Sequence, residues 1–350
     1  MMFASDNMGP AAPEIIDAIA RVNEGHHMPY GNDPVTPEVV EAVRALFEAP
    51  EAAVHLVATG TAANALALAT LANPWDGIFM HRVAHAEEDE CGAPEFYTGG
   101  AKMVLVDGEK GKMAPEGLKA AIARTGDKGV HGVQRGPVTI TNITEVGSLY
   151  TLDEIRALTD VAKSYGLKTH LDGARMANAC AALGCTPAEM TWKAGIDAVS
   201  FGGTKNGCLG VEAVIFFDPA QARETELRRK RGGHLFSKHR FLSAQMQAYV
   251  ADGLWLRLAE QANARCAELA EGITALPGAR IEAEPQGNMI FAHLPRRAHK
   301  RAMEAGAKYY LFPFNVSLDG PEDELIRCRF VCDWSCTPQS VQDLLGHFRG

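Results

Sequence analysis

No apolar run in the 350-residue chain approaches the roughly 20 residues that a membrane-spanning helix requires, so no membrane association is expected. Basic charge is also in short supply. With 34 Lys and Arg against 43 Asp and Glu, the formal net charge is −9. A nucleic-acid binder carries a basic footprint, so nucleic acid is not an expected partner. No charged-then-apolar leader precedes Asp6, and a cytoplasmic location is expected. Neither a Walker loop nor a GxGxxG follows any expected strand, which disfavours a dinucleotide. There is no internal repeat and no low-complexity linker.

Eight cysteines are present, and without a secretory leader they are not expected to pair. Cys328, Cys332 and Cys336 are regularly spaced, as metal ligands can be. The segment 327–333 reads as a strand, however, which makes Cys328 and Cys332 buried thiols on one face, and no metal is expected.

What the chain does contain is alternation. Its length implies more than one core, and 47% hydrophobic with 22% charged residues is ordinary for a globular protein. Helical spacing over 13–22 is followed by a turn-rich segment, 29–37. A second helix is expected with Thr36 as its cap and Pro37 at its first position. From residue 54 to residue 217, strand-like and helix-like stretches take turns, the signature of an α/β unit on a mostly parallel sheet. Long helices follow to about residue 275, then strands and helices of a smaller α+β unit. The expected divisions are an N-terminal arm and helix (1–35), a large domain (36–245) and a small domain (246–350).

In open parallel sheets, ligands bind beyond the carboxyl ends of the strands, and four motifs fall at such ends. In Thr59-Gly60-Thr61-Ala62-Ala63-Asn64 a strand meets a helix; Gly60 lets an anion approach, and the helix start offers free N–H groups. The same residues also describe a plain capped helix. His85, after the next strand, could stack on an aromatic cofactor or move a proton. The acidic run after it, Glu87, Glu88 and Glu90, reads as a solvated helix start favoured by the dipole. Asp172 ends an apolar strand, a poor place for an unpaired carboxylate. It could cap the following helix, or face a pyridine nitrogen and keep it protonated. Lys205 stands among Gly202, Gly203 and Gly207, where a solvated lysine and a Schiff-base lysine are both open readings. An anion cup, then Asp, then Lys, each after a strand, points to pyridoxal phosphate on a large α/β domain.

Together with Phe3-Ala4-Ser5-Asp6-Asn7, Tyr30-Gly31, Asp89-Glu90-Cys91-Gly92-Ala93-Pro94-Glu95, Thr144-Glu145-Val146-Gly147-Ser148, Asp172-Gly173-Ala174-Arg175 and Phe201-Gly202-Gly203-Thr204-Lys205-Asn206-Gly207, these motifs resemble the L-threonine aldolase family, in its low-specificity branch. The likeness is close from Phe3 to about Ala251 and looser to the end. It implies an aspartate-aminotransferase-like fold (pyridoxal-phosphate fold type I) and retro-aldol cleavage of L-threonine, L-allo-threonine and related β-hydroxy-α-amino acids to glycine and an aldehyde. A β-eliminating lyase or amino-acid racemase on the same scaffold is the alternative.

The resemblance implies Lys205 as the Schiff-base lysine and Asp172 as the partner of the pyridine nitrogen. It places Arg175 at the ring's phenolic oxygen, Gly60 and Thr61 at the phosphate, Thr204 against the cofactor, and His85 on the ring face. Ser5 and Arg329 would hold the substrate carboxylate, with Asp6 and Asp89 near the substrate. Tyr30 would enter from a neighbouring subunit of a homotetramer, a dimer of dimers with shared sites. His131 matches a family histidine near the substrate hydroxyl, although Gly132-Val133-Gln134 departs from the family pattern. Lys230, Arg231 and Lys238 are candidates for the phosphate side.

Overall fold

The computed structural model describes all 350 residues. Seven strands form the main sheet: β1 (Ala53–Val57), β2 (Asp76–His81), β3 (Lys102–Val106), β4 (Gln134–Thr141), β5 (Thr169–Gly173), β6 (Ala198–Gly202) and β7 (Glu212–Phe216). Their order across the sheet is β1-β7-β6-β5-β4-β2-β3, and only β7 runs against the others. Every residue of β1, β5, β6 and β7 is buried, as a parallel sheet covered by helices on both faces demands. The helix Gly60–Leu71 is Ala- and Leu-rich all round, and nine of its residues are buried against the sheet and its neighbours. Thr59 starts it by accepting the Ala62 N–H.

A second, four-stranded antiparallel sheet is formed by β8 (Arg280–Ile281), β9 (Met289–Pro295), β10 (Tyr310–Phe312) and β11 (Leu325–Val331), in the order β10-β11-β9-β8. One face, with Ile290, Cys328 and Phe330, packs on the helices Leu254–Thr274 and Pro338–Arg349. Cys328 and Cys332 are both buried in this core. The alternate residues Met289, Phe291 and Arg329 point the other way, and Gly147 of the large unit approaches the Met289 carbonyl.

The apolar interior splits into a 43-residue cluster and a 22-residue cluster. The helix Leu254–Thr274 serves both: Leu254 to Ala259 belong to the first, Cys266 to Ile273 to the second. The expected division at 245/246 instead falls inside the helix Arg240–Val250. The N-terminal arm also departs from expectation. Phe3 lies in the smaller core, and its N–H donates to the Lys308 carbonyl, so the first residues close the C-terminal unit. Local chemistry differs at the second helix, Val35–Leu46, where Asp33 and not Thr36 caps by accepting the N–H groups of Val35 and Thr36.

Candidate active site

Because β1, β2, β4, β5 and β6 are parallel, the segments that follow them emerge on one edge of the sheet. That edge carries Gly60 and Thr61 after β1, His85 after β2, Glu145 after β4, Asp172 at the end of β5 and Lys205 just past β6. Asp172 pairs in register with Ser200, five residues before Lys205.

Gly202 and Gly203 are required by close approach. A Cβ on Gly202 would lie 2.5 Å from the Ala174 carbonyl oxygen, and one on Gly203 2.7 Å from that of Val211. The β6 end can therefore drop against Ala174, which sets Thr204–Asn206 into a 3-10 turn bearing Lys205. Glu212 accepts the Gly203 N–H at 2.8 Å, and its burial pushes its carboxyl up to about 7. Lys205 is held below the usual lysine range, first by burial and then by the nearby Arg175 charge.

Asp172 is buried and accepts two hydrogen bonds, from Asn64 Nδ2 at 2.9 Å and from the Ala174 N–H at 3.0 Å. Arg175 makes a two-pronged ion pair with Asp6: Nε to Oδ2 at 2.7 Å and Nη2 to Oδ1 at 3.0 Å. Nη1 has no acceptor within the chain. Although burial opposes both charges, the pair holds the Asp6 carboxyl below and the Arg175 guanidinium above their ordinary ranges. Asn288 also donates to Asp6 at 3.1 Å. Asp6, expected near the substrate, braces Arg175 with both of its carboxylate oxygens.

His85 is half-buried; burial lowers its pKa, and its Nδ1 lies 3.4 Å from exposed Asp89. Its backbone N–H donates to Glu145 Oε1 at 2.7 Å, and burial pushes the Glu145 carboxyl up to about 7. On the small sheet, Arg329 donates from Nη2 to the Ala4 carbonyl at 3.2 Å and lies 5.0 Å over the Tyr310 ring; its Nε is buried without a partner. Neighbouring Ser5 accepts the Asn7 N–H, so its hydroxyl proton remains free to donate. The amides of Gly60 and Thr61, at the start of a 12-residue helix, have no acceptor in the chain.

These features fit pyridoxal phosphate. Two unclaimed amides at a helix start suit its phosphate, a doubly hydrogen-bonded carboxylate suits its pyridinium, and a lysine of depressed pKa suits its aldehyde. A family model described as beta-eliminating lyase matches residues 2–295. The chain belongs to that family.

Within the beta-eliminating lyase family, the chain is similar to curated relatives along nearly its whole length. It is 40% identical to the low specificity L-threonine aldolase of Pseudomonas sp. (strain NCIMB 10558) over 348 residues, 99% of this chain and 96% of the relative. Identity to the low specificity L-threonine aldolase of Pseudomonas aeruginosa is 39% over the same span. Among solved structures, the threonine aldolase of Leishmania major superposes with a TM-score of 0.90 at 26% identity, covering 99% of this chain and 98% of that one.

Two expected site residues lie elsewhere in the protomer. His131 is exposed in a 3-10 turn before β4, and so sits beyond the opposite edge of the sheet from Asp172 and Lys205. An eight-residue strand separates the two edges by about 25 Å, so His131 cannot serve its own protomer's site. Tyr30 is exposed and packs under Lys230, whose Nζ is 4.4 Å from the ring centre. Lys230, Arg231 and Lys238 are all exposed, whereas Arg229 turns inward and donates to the Leu56 carbonyl on β1.

Glu90 is the residue that local reading placed wrongly. Instead of a solvated helix start it is 3% exposed, and Asn64 Nδ2 donates to its Oε1 at 2.9 Å. Its motif neighbours are acidic, and nothing within that run marks one carboxylate as interior. Glu212, by contrast, could have been noticed as a carboxylate opening the apolar run Glu212 to Phe216.

Proposed function

We propose that this chain is a pyridoxal-phosphate-dependent L-threonine aldolase, a carbon–carbon lyase cleaving β-hydroxy-α-amino acids to glycine and an aldehyde. The observation that carries this reading is the meeting of Lys205, Asp172, Arg175 and the free amides of Gly60 and Thr61 on one sheet edge, facing Arg329 of the small unit. Pyridoxal phosphate, when bound, supplies an aldehyde for the substrate amine and a protonated ring that takes up the electron pair of the broken Cα–Cβ bond.

The chain's own residues do the rest. Lys205, with its lowered pKa, offers a neutral amine more readily than a solvated lysine and can carry a proton to the product carbon. Asp172, aimed by Asn64 and the Ala174 amide, holds a proton on the ring nitrogen. Arg175 would offer its unclaimed Nη1 to the phenolic oxygen, while Asp6 fixes the rest of the guanidinium. The free amides of Gly60 and Thr61 would hold the phosphate. Arg329 and Ser5 hold the substrate carboxylate, for which a planar fork is suited. His85, neutral near pH 7, covers the ring face and accepts the β-hydroxyl proton, with Asp89 beside it to stabilise the charge it gains.

The assembly is proposed to be a cytoplasmic homotetramer with shared sites. Exposed Tyr30, and exposed His131 at the far end of β4 from Lys205, support sites completed by a neighbouring copy.

The test is incubation with L-threonine, L-allo-threonine and β-phenylserine while aldehyde and glycine are measured. Equimolar aldehyde and glycine support the reading; pyruvate with ammonia would make the chain a β-eliminating enzyme instead, and exchange of the Cα proton alone a racemase. Lys205→Ala should lose turnover and the visible absorbance of the lysine-bound cofactor together, and retention of both would sink the assignment of Lys205.

A further inference from the structure

Beneath Asp172 lies an arrangement that the reaction itself does not explain. Asn64 Nδ2 is 2.9 Å from Glu90 Oε1 and 2.9 Å from Asp172 Oδ2. Both neighbours are carboxyl oxygens, so the shared atom must be the amide nitrogen, donating one hydrogen to each. That choice strands two buried oxygens. Asn64 Oδ1 and Glu90 Oε2 both lack a partner. Unsatisfied buried acceptors are rare, and two on side chains that already touch call for one cause. A single proton on Glu90 Oε2, donated to the Asn64 carbonyl oxygen, would fill both vacancies and close a two-bond acid–amide ring.

We propose that Glu90 is a neutral carboxylic acid whose ring with Asn64 aims the amide's second N–H at Asp172, making Glu90 a positioning residue for the carboxylate opposite the ring nitrogen. This rests on the reading of Asp172 given above. The proton belongs on Glu90 and not on Asp172 because Asp172 accepts two N–H donors and Glu90 only one. The two carboxyls meet at one amide nitrogen, too close for both to be charged in a buried place. The groups that face Glu90 are Asp172 from β5, Lys205 from the turn after β6 and Glu95 from the helix Ala93–Thr98. Burial and the Asp172 charge outweigh the Asn64 hydrogen bond and Lys205, and push Glu90 up to about 8. A proton on Glu90 thus leaves no second anion against the Asp172 carboxylate. Above about pH 8 the ring opens, two anions confront each other, and the aim of Asn64 is lost.

The test uses the full-length chain with Glu90→Gln and Glu90→Leu. Glutamine reproduces the neutral acid: its carbonyl accepts from Asn64 and its amide donates back. Leucine fills the space and leaves the Asn64 amide unguided. Glu90→Gln should bind pyridoxal phosphate within about threefold of the parent, and Glu90→Leu about tenfold or more weakly, the scale of one misaligned hydrogen bond to a charged group.

A second readout uses the cofactor-free chain. A carboxyl with its folded pKa raised contributes stability below its unfolded value, and that contribution is lost as pH rises to about 8. The parent's melting temperature should therefore fall relative to Glu90→Gln between pH 5 and pH 8, with no further divergence above. Infrared difference spectra of parent minus Glu90→Gln at pH 7 should show a protonated carboxyl band. A gap in melting temperature that does not change with pH, absence of that band, or equal cofactor affinity of the two variants overturns the proposal. So does failure of Glu90→Gln to fold, since the acid is argued to be its mimic. If the chain bound no pyridoxal phosphate at all, the proposed function would fail while the melting and infrared arms still decided the state of Glu90.

Discussion

Removing Asp6 tests how much of the site is braced from a distance. Asp6 and Arg175 are 169 positions apart, yet their side chains are 1% and 14% exposed and joined by two charge-assisted bonds. In Asp6→Ala the guanidinium stays buried with its partner gone, and Asn288 loses one of its two acceptors. Breaking a buried pair from one side costs about 3–5 kcal/mol, far more than an exposed pair of the same geometry. At about 2 °C per kcal/mol for a chain of this size, the melting temperature should fall by about 6–10 °C. The double variant Asp6→Ala/Arg175→Met removes the stranded charge and should regain a substantial part of that loss. The assay is calorimetry of the cofactor-free chain near pH 7. A fall of less than 2 °C for Asp6→Ala, or a double variant no more stable than the single one, would refute the reasoning. The sign with pH follows from the lowered Asp6 pKa: the pair's contribution is present above the unfolded value near 4 and is lost as pH falls through the lower folded value.

Gly202→Ala should separate the ends of β5 and β6, because the new methyl meets Ala174 backbone at 2.5–2.9 Å; a loss of about 1–3 kcal/mol and weaker cofactor binding are expected from melting and titration. Glu145→Gln should flatten part of the stability profile between about pH 4.5 and 7, where the raised carboxyl makes the parent lose stability with rising pH; parallel melts of both proteins check this. Arg329→Lys should raise KM for the amino acid more than it lowers kcat, since the fork proposed to hold the substrate carboxylate is lost while Lys205 and Asp172 stay in place. Tyr30→Ala and Lys205→Ala, each impaired alone, should recover activity when unfolded and refolded together if Tyr30 serves a neighbouring copy; no recovery would place Tyr30 outside the catalytic assembly.

Much of the site was legible because its parts sit at strand ends that announce themselves locally. Gly60, His85, Asp172 and Lys205 each follow a short buried run, and the alternation of strand and helix alone predicts that such ends share an edge. The order of the strands was not legible. It places β5 beside β6, and so Asp172 beside the Lys205 turn, through hydrogen bonding between segments that no local pattern links.

The carboxylates divide in the same way. Asp172 stood out because an apolar strand leads into it, whereas Glu90 lay in an acidic run whose composition matches a solvated helix start. Only its contact with Asn64, 26 positions earlier, takes Glu90 out of water. Asp6 gained its role from an arm that crosses to the small unit, and His131 lost its expected place because the strand after it runs the length of the sheet. The sequence by itself determined which chemical groups this protein has and the strand ends that carry them, since those depend on periodicity and turn residues nearby. The tertiary structure alone decided which of those groups are charged, braced or remote, because burial and pairing are properties of whatever the fold brings against them.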